Sequence, residues 1–472
     1  MRKLALLCTL VMIIVALVIV PVSAQDEMMG LPDWIEHTEC EVDLTGETIT
    51  IYHIGDISSA SYSPITLPLI AAFNDAMAYY NDHGGICGAE LVQENRDTGG
   101  DPQQTQAAYD AFSTLDPQPD LMVLYSSQDA ELLRPQLIED QIPVLISAGS
   151  LEGLYGENGD DPGFIYQTNP GYADQLASFC DYVAANPDRF GDSPSIGYMG
   201  WGAPAASFGS AGYTPETIEY CGSLGIGVAD PAESFSPIAS DVSTNVENLL
   251  DAGANIIYVN ALATGPVRVA EAIEFLGVAD EVTLAAVNWG MDTSVAFVAR
   301  NSLGDDGLPV VNGMIGSVPF GWWTETDLPA IQLISEQAEL NERSAPTRGI
   351  TYLLGWLTVD TYVELYINAA NEAGSLDAVD GLGMQSVIES SVFQPLGLST
   401  FDFQGGEIRS ATQNRLMEFH FANADMSGIA TSGDDALAID LGDGTNFYPP
   451  VLVPLTDFAQ TPDMRPGMMM DD

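Results

Sequence analysis

The sequence predicts an α/β protein of two lobes, each built on a mostly parallel sheet. Three observations predict it. Residues 49–147 alternate strand and helix strictly. The same alternation starts again near residue 172 and runs to 287. Small polar residues follow the strands, at the carboxyl ends where a parallel sheet places its ligand. A chain of 472 residues with 46% hydrophobic content exceeds one core and suffices for two.

The first strand is Ile49–Ile54. A helix follows over about 65–80, with Leu69, Phe73, Ala76, Met77 and Tyr80 on one face and Asn74 and Asp75 off it. His83-Gly84-Gly85 stops it. Strand two is about Ala89–Gln93. The next helix, about 102–115, opens with Asp101 as cap and Pro102 at its first position. Strand three is Leu121–Tyr125, Ser126-Ser127-Gln128 turns into a helix, and strand four is Pro143–Ile146. In the second block, helices over 172–185, 210–221, 241–251 and 266–276 alternate with strands 195–199, 226–229, 256–260 and 282–287. Residues 312–320 read as a crossing segment and 349–373 as a long helix. Late strands fall near 416–422 and 447–453.

The chain opens like a secretory signal over 1–24. Arg2 and Lys3 precede an apolar run to Val20, and Val22-Ser23-Ala24 offers a cleavage site. The run is long for a signal, so an uncleaved membrane anchor is the alternative. Residues 25–47 read as a polar tether, and 459–472 as a flexible tail.

Net charge is −55, and without Arg2 and Lys3 ten arginines face 67 carboxylates and no lysine remains. That excludes nucleic acid and anionic lipid as partners, which need basic surfaces. The acid fits an exported protein kept soluble, with salt screening its self-repulsion. Cys40, Cys87, Cys180 and Cys221 allow three disulfide connectivities. Cys40 and Cys87 precede neighbouring strands and Cys180 and Cys221 lie on two helices, which favours those two pairs. His37, His53, His83 and His420 are scattered and match no metal spacing. The sequence has no Gly-x-Ser-x-Gly elbow, phosphate loop or plausible Cys–His pair, so neither an enzyme nor a cofactor is expected.

Several local features share an order. They are Gly55 and Tyr62, Gly84-Gly85-Ile86-Cys87-Gly88, Asp97 with Asp101-Pro102, and Ser126-Ser127 ahead of Pro135. Ile142 to Ser147, Leu276-Gly277 and Phe403-Gln404-Gly405-Gly406 continue it. Over roughly 48–425 the chain resembles the branched-chain amino acid type of periplasmic binding protein, the extracytoplasmic solute receptors of ABC importers. The resemblance implies two Rossmann-like lobes joined by three crossovers, closing on a solute by hinge motion. Lobe I is then 48–168 with 315–405, and lobe II is 169–314 with 406–458. The implied partners are a small solute and a membrane permease. A sensory receptor using the same fold is the alternative.

The candidate site follows from both readings. Ser126 and Ser127 stand at a helix start, where N–H groups and hydroxyls suit a carboxylate; the plain alternative is a helix cap. The resemblance adds Ala148 and Ser150 to that wall, Tyr62 as an apolar face, and Phe208, Thr264 and Trp289 from lobe II. Receptors of this type usually place a carboxylate near the position of Trp289 to hold an ammonium. Here the chain reads Asn288-Trp289-Gly290-Met291-Asp292, with the acid three residues late. The expected solute is an amino acid or a related small molecule, with an amide, an aromatic acid or another small carboxylate admitted by this departure, and Trp289 would stack on it or on a cation.

Overall fold

The computed structural model describes residues 30–468. The expected leader and the last four residues lie outside that range. In lobe I, β1 (Thr48–Gly55), β2 (Glu90–Asp97), β3 (Met122–Leu124), β4 (Val144–Ile146) and β5 (Ile165–Gln167) form a parallel sheet in the order 2-1-3-4-5. Helices α1 (Ser63–Asp82), α2 (Pro102–Ser113), α3 (Ser127–Asp140) and α4 (Leu151–Tyr155) connect the strands. In lobe II, after α5 (Tyr172–Ala185), the strands β6 (Ser195–Trp201), β7 (Gly227–Val228), β8 (Glu233–Phe235), β9 (Ile256–Asn260), β10 (Thr283–Ala286) and β11 (Ile315–Ser317) pair in parallel. Strands Leu416–Phe421 and Pro450–Pro454 extend that sheet antiparallel. In lobe I strand order reverses between β1 and β3, and in lobe II between β6 and β9. Each reversal opens a crevice at the carboxyl ends of the two strands.

Most elements stand where periodicity predicts. The face of α1 is buried through Leu69, Phe73, Ala76, Met77 and Tyr80. It packs on the long helix Ile350–Ala373 so closely that a Cβ at Gly355 would stand 2.4 Å from the Ala72 Cβ. Asp75 departs from the expectation. It is buried, and it takes a two-pronged ion pair from Arg343 and the Tyr352 hydroxyl. A partner so remote in sequence is invisible to helical periodicity. Strand β5 is another unforeseen element, only three residues long and just ahead of the first lobe crossing.

The chain crosses between lobes after β5, after β11, and between Asp402 and Gln413. Because Ile315 pairs with Ala285, residues 315–317 belong to the lobe II sheet rather than lobe I. Two arginines pin the crossings. Arg409 donates to the Gly163 and Gly406 carbonyls, pairs with Glu389 at 2.9 Å and stacks 4.5 Å from the Tyr166 ring. Arg415 forks onto Glu325 and also reaches the Phe320 carbonyl. Burial pushes Glu325 up, but the Arg415 hydrogen bonds and charge outweigh it and hold its pKa low.

Both disulfides join the favoured partners, Cys40–Cys87 and Cys180–Cys221. The expected tether is docked where it is described. Leu44 is buried, and Trp34 and Ile35 pack on the core. His37 meets Asp360 at 2.8 Å and Thr38 bonds to Glu364. The expected flexible tail is likewise docked up to its last described residues. Ala459–Gln460 pairs with Gln413–Asn414, Met464 is buried beside Ala173 and Ala177, and the Arg465 guanidinium lies 5.0 Å from the Tyr155 ring centre. Apolar anchors such as Met464 are single residues in polar runs, too sparse to register as a pattern. No helix among the described residues is long and apolar enough to cross a membrane.

Two measurements check these anchors. Arg415→Ala leaves Glu325 half-buried without its cation and should cost about 3–5 kcal/mol in urea unfolding. Burial pulls the His37 pKa down, but the hydrogen bond and charge of Asp360, with Glu364 beside it, raise it above its ordinary 6.5. Its contribution is therefore complete below pH 6.5 and fades as pH rises through the raised value. The Tm gap between wild type and His37→Gln should be widest near about pH 6 and narrow by about pH 9.

Candidate functional site

The reversal points of the two sheets face each other, and aromatic side chains fill the space between them. Tyr62 follows β1, and Tyr125 follows β3. From lobe II, Trp201 ends β6, Phe208 lies in the short helix Ala206–Gly209, and Trp289 follows β10. Tyr172 opens α5 just after the first crossing. Tyr62 meets Tyr125 at 6.3 Å and Trp201 at 6.2 Å between ring centres. Tyr125 meets Trp289 at 5.7 Å, Tyr172 meets Phe208 at 5.1 Å, and Trp201 meets Phe208 at 6.1 Å. These five contacts are edge-on, the arrangement that ring quadrupoles favour. Two of them join lobe I to lobe II, so the lobes touch through this cluster.

The cluster is deeply buried. Tyr125, Trp201 and Trp289 are each 1% exposed. Trp289 Nε1 donates to the Tyr172 hydroxyl at 3.1 Å. The Tyr125 hydroxyl and Trp201 Nε1 have no partner among the described residues. Other buried side chains among the described residues share that state, Asn288 beside Trp289 included, and for groups in the interlobe cluster a bound solute is one source of the missing bond. Burial, then the charges of Asp129 and Asp56, push the Tyr62 pKa upward. Tyr125 is raised by burial too, with Tyr172, Tyr62 and Asp292 adding to it.

The predicted serine wall is mostly occupied by the protein itself. Ser126 caps α3, accepting from the Asp129 N–H at 3.2 Å and donating to the Asp129 carboxylate at 2.7 Å. Ser150 caps α4 and donates to Glu131 at 2.6 Å. Ser127 is buried, donates to the Ala148 carbonyl at 3.2 Å and lies beside the Tyr172 hydroxyl. Ser127 and Ala148 thus adjoin the cluster, whereas the hydroxyl protons of Ser126 and Ser150 are committed to carboxylates. Thr264 opens the helix Thr264–Leu276, next to Gly265, where a Cβ would be 3.5 Å from Trp201 Nε1. Asp292 offers no free oxygen to the cleft. Its oxygens take the Ser294 N–H and hydroxyl and the Ile350 N–H, which ties the helix Thr293–Ala299 to the long helix of lobe I. Burial leads a rise in its pKa despite those donors.

Tyr125, Tyr172 and Trp201 were not foreseen as site residues. Their signal was present, since Tyr125 and Trp201 are aromatic residues at strand carboxyl ends. Glu131 was also missed. One of its oxygens takes Ser150 of lobe I and the other takes Ser207 of lobe II, both at 2.6 Å, which clasps the lobes together.

Two α/β lobes joined by three crossings and meeting at their strand ends around buried rings have the architecture of a two-lobed binding protein. A family model described as periplasmic binding protein matches residues 48–399, three quarters of the chain, and this chain belongs to that family. Solved structures agree on the fold. A branched-chain amino acid ABC transporter protein from Thermus thermophilus with bound valine shares 16% identity, with TM-score 0.68, over 88% of this chain and 98% of that one. A fatty acid ABC transporter substrate-binding protein from Thermomonospora curvata shares 16%, with TM-score 0.65, over 90% and 97%. A solute-binding protein from Rhodopseudomonas palustris BisB5 in complex with 3,4-dihydroxybenzoic acid shares 12%, with TM-score 0.62, over 89% and 99%. No curated protein matches the sequence.

The clasp can be tested without a ligand. Ser207→Ala removes one hydrogen bond to a charged group, worth about 1.5–3 kcal/mol. The variant should fold normally and show a larger radius of gyration in small-angle scattering than wild type.

Proposed function

We propose that the chain is the extracytoplasmic solute-binding component of an ABC importer. It captures a small organic solute between its lobes by hinge closure and presents the closed form to a membrane permease. One observation carries the reading. The carboxyl ends of two parallel sheets converge on a buried aromatic cluster contributed by both lobes, in which two polar groups lack partners. A site split across a hinge suits capture and release, because closure completes it and opening dismantles it. Family membership supports the same role, and the leader-like start of the sequence fits export. The solved relatives carry a branched-chain amino acid in one case and an aromatic acid in another, so the fold tolerates different solutes. Amino acids and related small carboxylates and amides are the starting candidates here. The solute would lie among Tyr62, Ser127 and Ala148 of lobe I and Phe208, Thr264 and Trp289 of lobe II.

A thermal-shift screen of amino acids, amides, small acids and small amines tests this function. A solute at 100 times its Kd should stabilise the folded state by about 2.7 kcal/mol. The same solute should leave no product after prolonged incubation, which separates a receptor from a hydrolase. Absence of any stabilising solute across the screen would count against the receptor reading.

A further inference from the structure

We infer that the cleft selects a small organic cation, an alkylated ammonium that also carries an oxygen acceptor. The inference rests on the receptor reading above and names its substrate class. Four observations converge on it.

The first is the ring cluster itself. Six aromatic side chains from both lobes meet edge to face, so the electron-rich face of a ring receives the positive edge of its neighbour. An alkylated ammonium presents similarly polarised C–H groups on every side, and aromatic cages recognise such cations. It can take the place of a neighbouring edge without creating an unmet polar group.

The second is the sign of the surrounding charge. Asp56 and Asp129 act on Tyr62, Asp292 acts on Tyr125, and Glu131 stands at the interlobe clasp. No arginine offsets them. Nine of the ten arginines in the described residues are ion-paired to carboxylates elsewhere. The tenth, Arg300, donates to the Phe297 carbonyl and to Thr445. Every cation–π contact among the described residues falls on a ring outside the cluster. A solute carrying only a carboxylate would enter a negative field with no cation to meet it.

The third is the state of those carboxylates. Asp129 is occupied by Thr105 and Ser126, Asp292 by Ser294 and Ile350, and Glu131 by Ser150 and Ser207. These three supply negative potential while both oxygens of each are already hydrogen-bonded; Asp56, the fourth, takes the Ser59 N–H on one oxygen. A primary ammonium needs acceptors for three N–H donors. A fully alkylated one donates no conventional hydrogen bond, so it gains the field without that requirement.

The fourth is the unpartnered pair. The Tyr125 hydroxyl and Trp201 Nε1 are buried donors that call for an acceptor. A hydroxyl, carbonyl or carboxylate oxygen a short chain away from the ammonium would supply it, with the cation neutralising any charge on that oxygen.

The test is calorimetric titration of the full-length exported protein with choline, glycine betaine and tetramethylammonium. Ethanolamine, glycine, valine, 4-hydroxybenzoate and benzamide form the comparison series. Choline or glycine betaine should bind about 30-fold more tightly than its unmethylated analogue. Trp289→Leu should lose about 30-fold of that affinity, with the circular dichroism spectrum unchanged. Tyr125→Phe keeps the ring and removes one donor. It should weaken the oxygen-bearing cation about tenfold and leave tetramethylammonium unaffected. Binding of valine, hydroxybenzoate or benzamide in preference to the methylated cations would overturn the cation assignment while leaving the receptor function standing. Failure of every compound to bind would overturn the cation assignment, and the thermal-shift screen of amino acids, amides, acids and amines then decides the receptor function separately.

Discussion

The cleft exists because three chain crossings run side by side, and two buried arginines hold them there. Arg409 ties the last crossing to the loop before β5 and to Glu389 of lobe I. Backbone pairing between Gln167 and Ser410 then joins the first crossing to the last. Arg415 reaches across to Val318, Phe320 and Glu325 and joins the last crossing to the second. Removing two buried charges from water is expensive, and the attraction offsets that only with good geometry and further hydrogen bonds. Both arginines meet those conditions through carbonyls on the crossing segments. The ion pairs therefore fix how the crossings lie against one another, and the cleft residues take their positions from that arrangement.

The charge balance of the chain sharpens this point. With 67 carboxylates and so few cations, an arginine is a scarce resource, and the structure places several at joints. Arg343 joins α1 to the segment just before the long helix through Asp75, and Arg134 secures the loop after α4 through Asp161. Most of the excess acid lies on the surface, where water and salt screen it, while Asp56, Asp129 and Asp292 are buried without an arginine partner. Among the described residues the cleft receives no arginine, so its polarity comes from neutral donors, aromatic rings and the nearby carboxylates of Asp56, Asp129 and Glu131.

Helix caps explain much of the site's chemistry. Ser126, Ser150 and Asp292 each stand at a helix start near the cleft, and each satisfies backbone N–H groups there. A group bound in this way gives up its freedom to hold a solute. Ser127, one residue inside α3, escapes that duty and adjoins the cluster instead. The difference between a capping serine and a site serine is thus one position along the chain.

The sequence by itself pointed to the two lobes, most of the strands and the long helix, and it favoured the two disulfide pairs among three possible connectivities. Those features follow from local periodicity, turn residues and cysteine placement, which act over a few residues at a time. It also pointed to Tyr62, Phe208 and Trp289, which lie in the aromatic cluster. Only the tertiary structure decided what each polar residue near the cleft was free to do. Whether Asp292 meets a solute or Ile350, and whether Ser150 faces the cleft or Glu131, depends on partners far away in the chain or in the other element. The same holds for Asp75 with Arg343, and for Tyr125 and Trp201, whose missing hydrogen bonds appear only once the lobes are packed. Local chemistry selects the elements, and long-range packing assigns the hydrogen-bonding capacity that remains for a ligand.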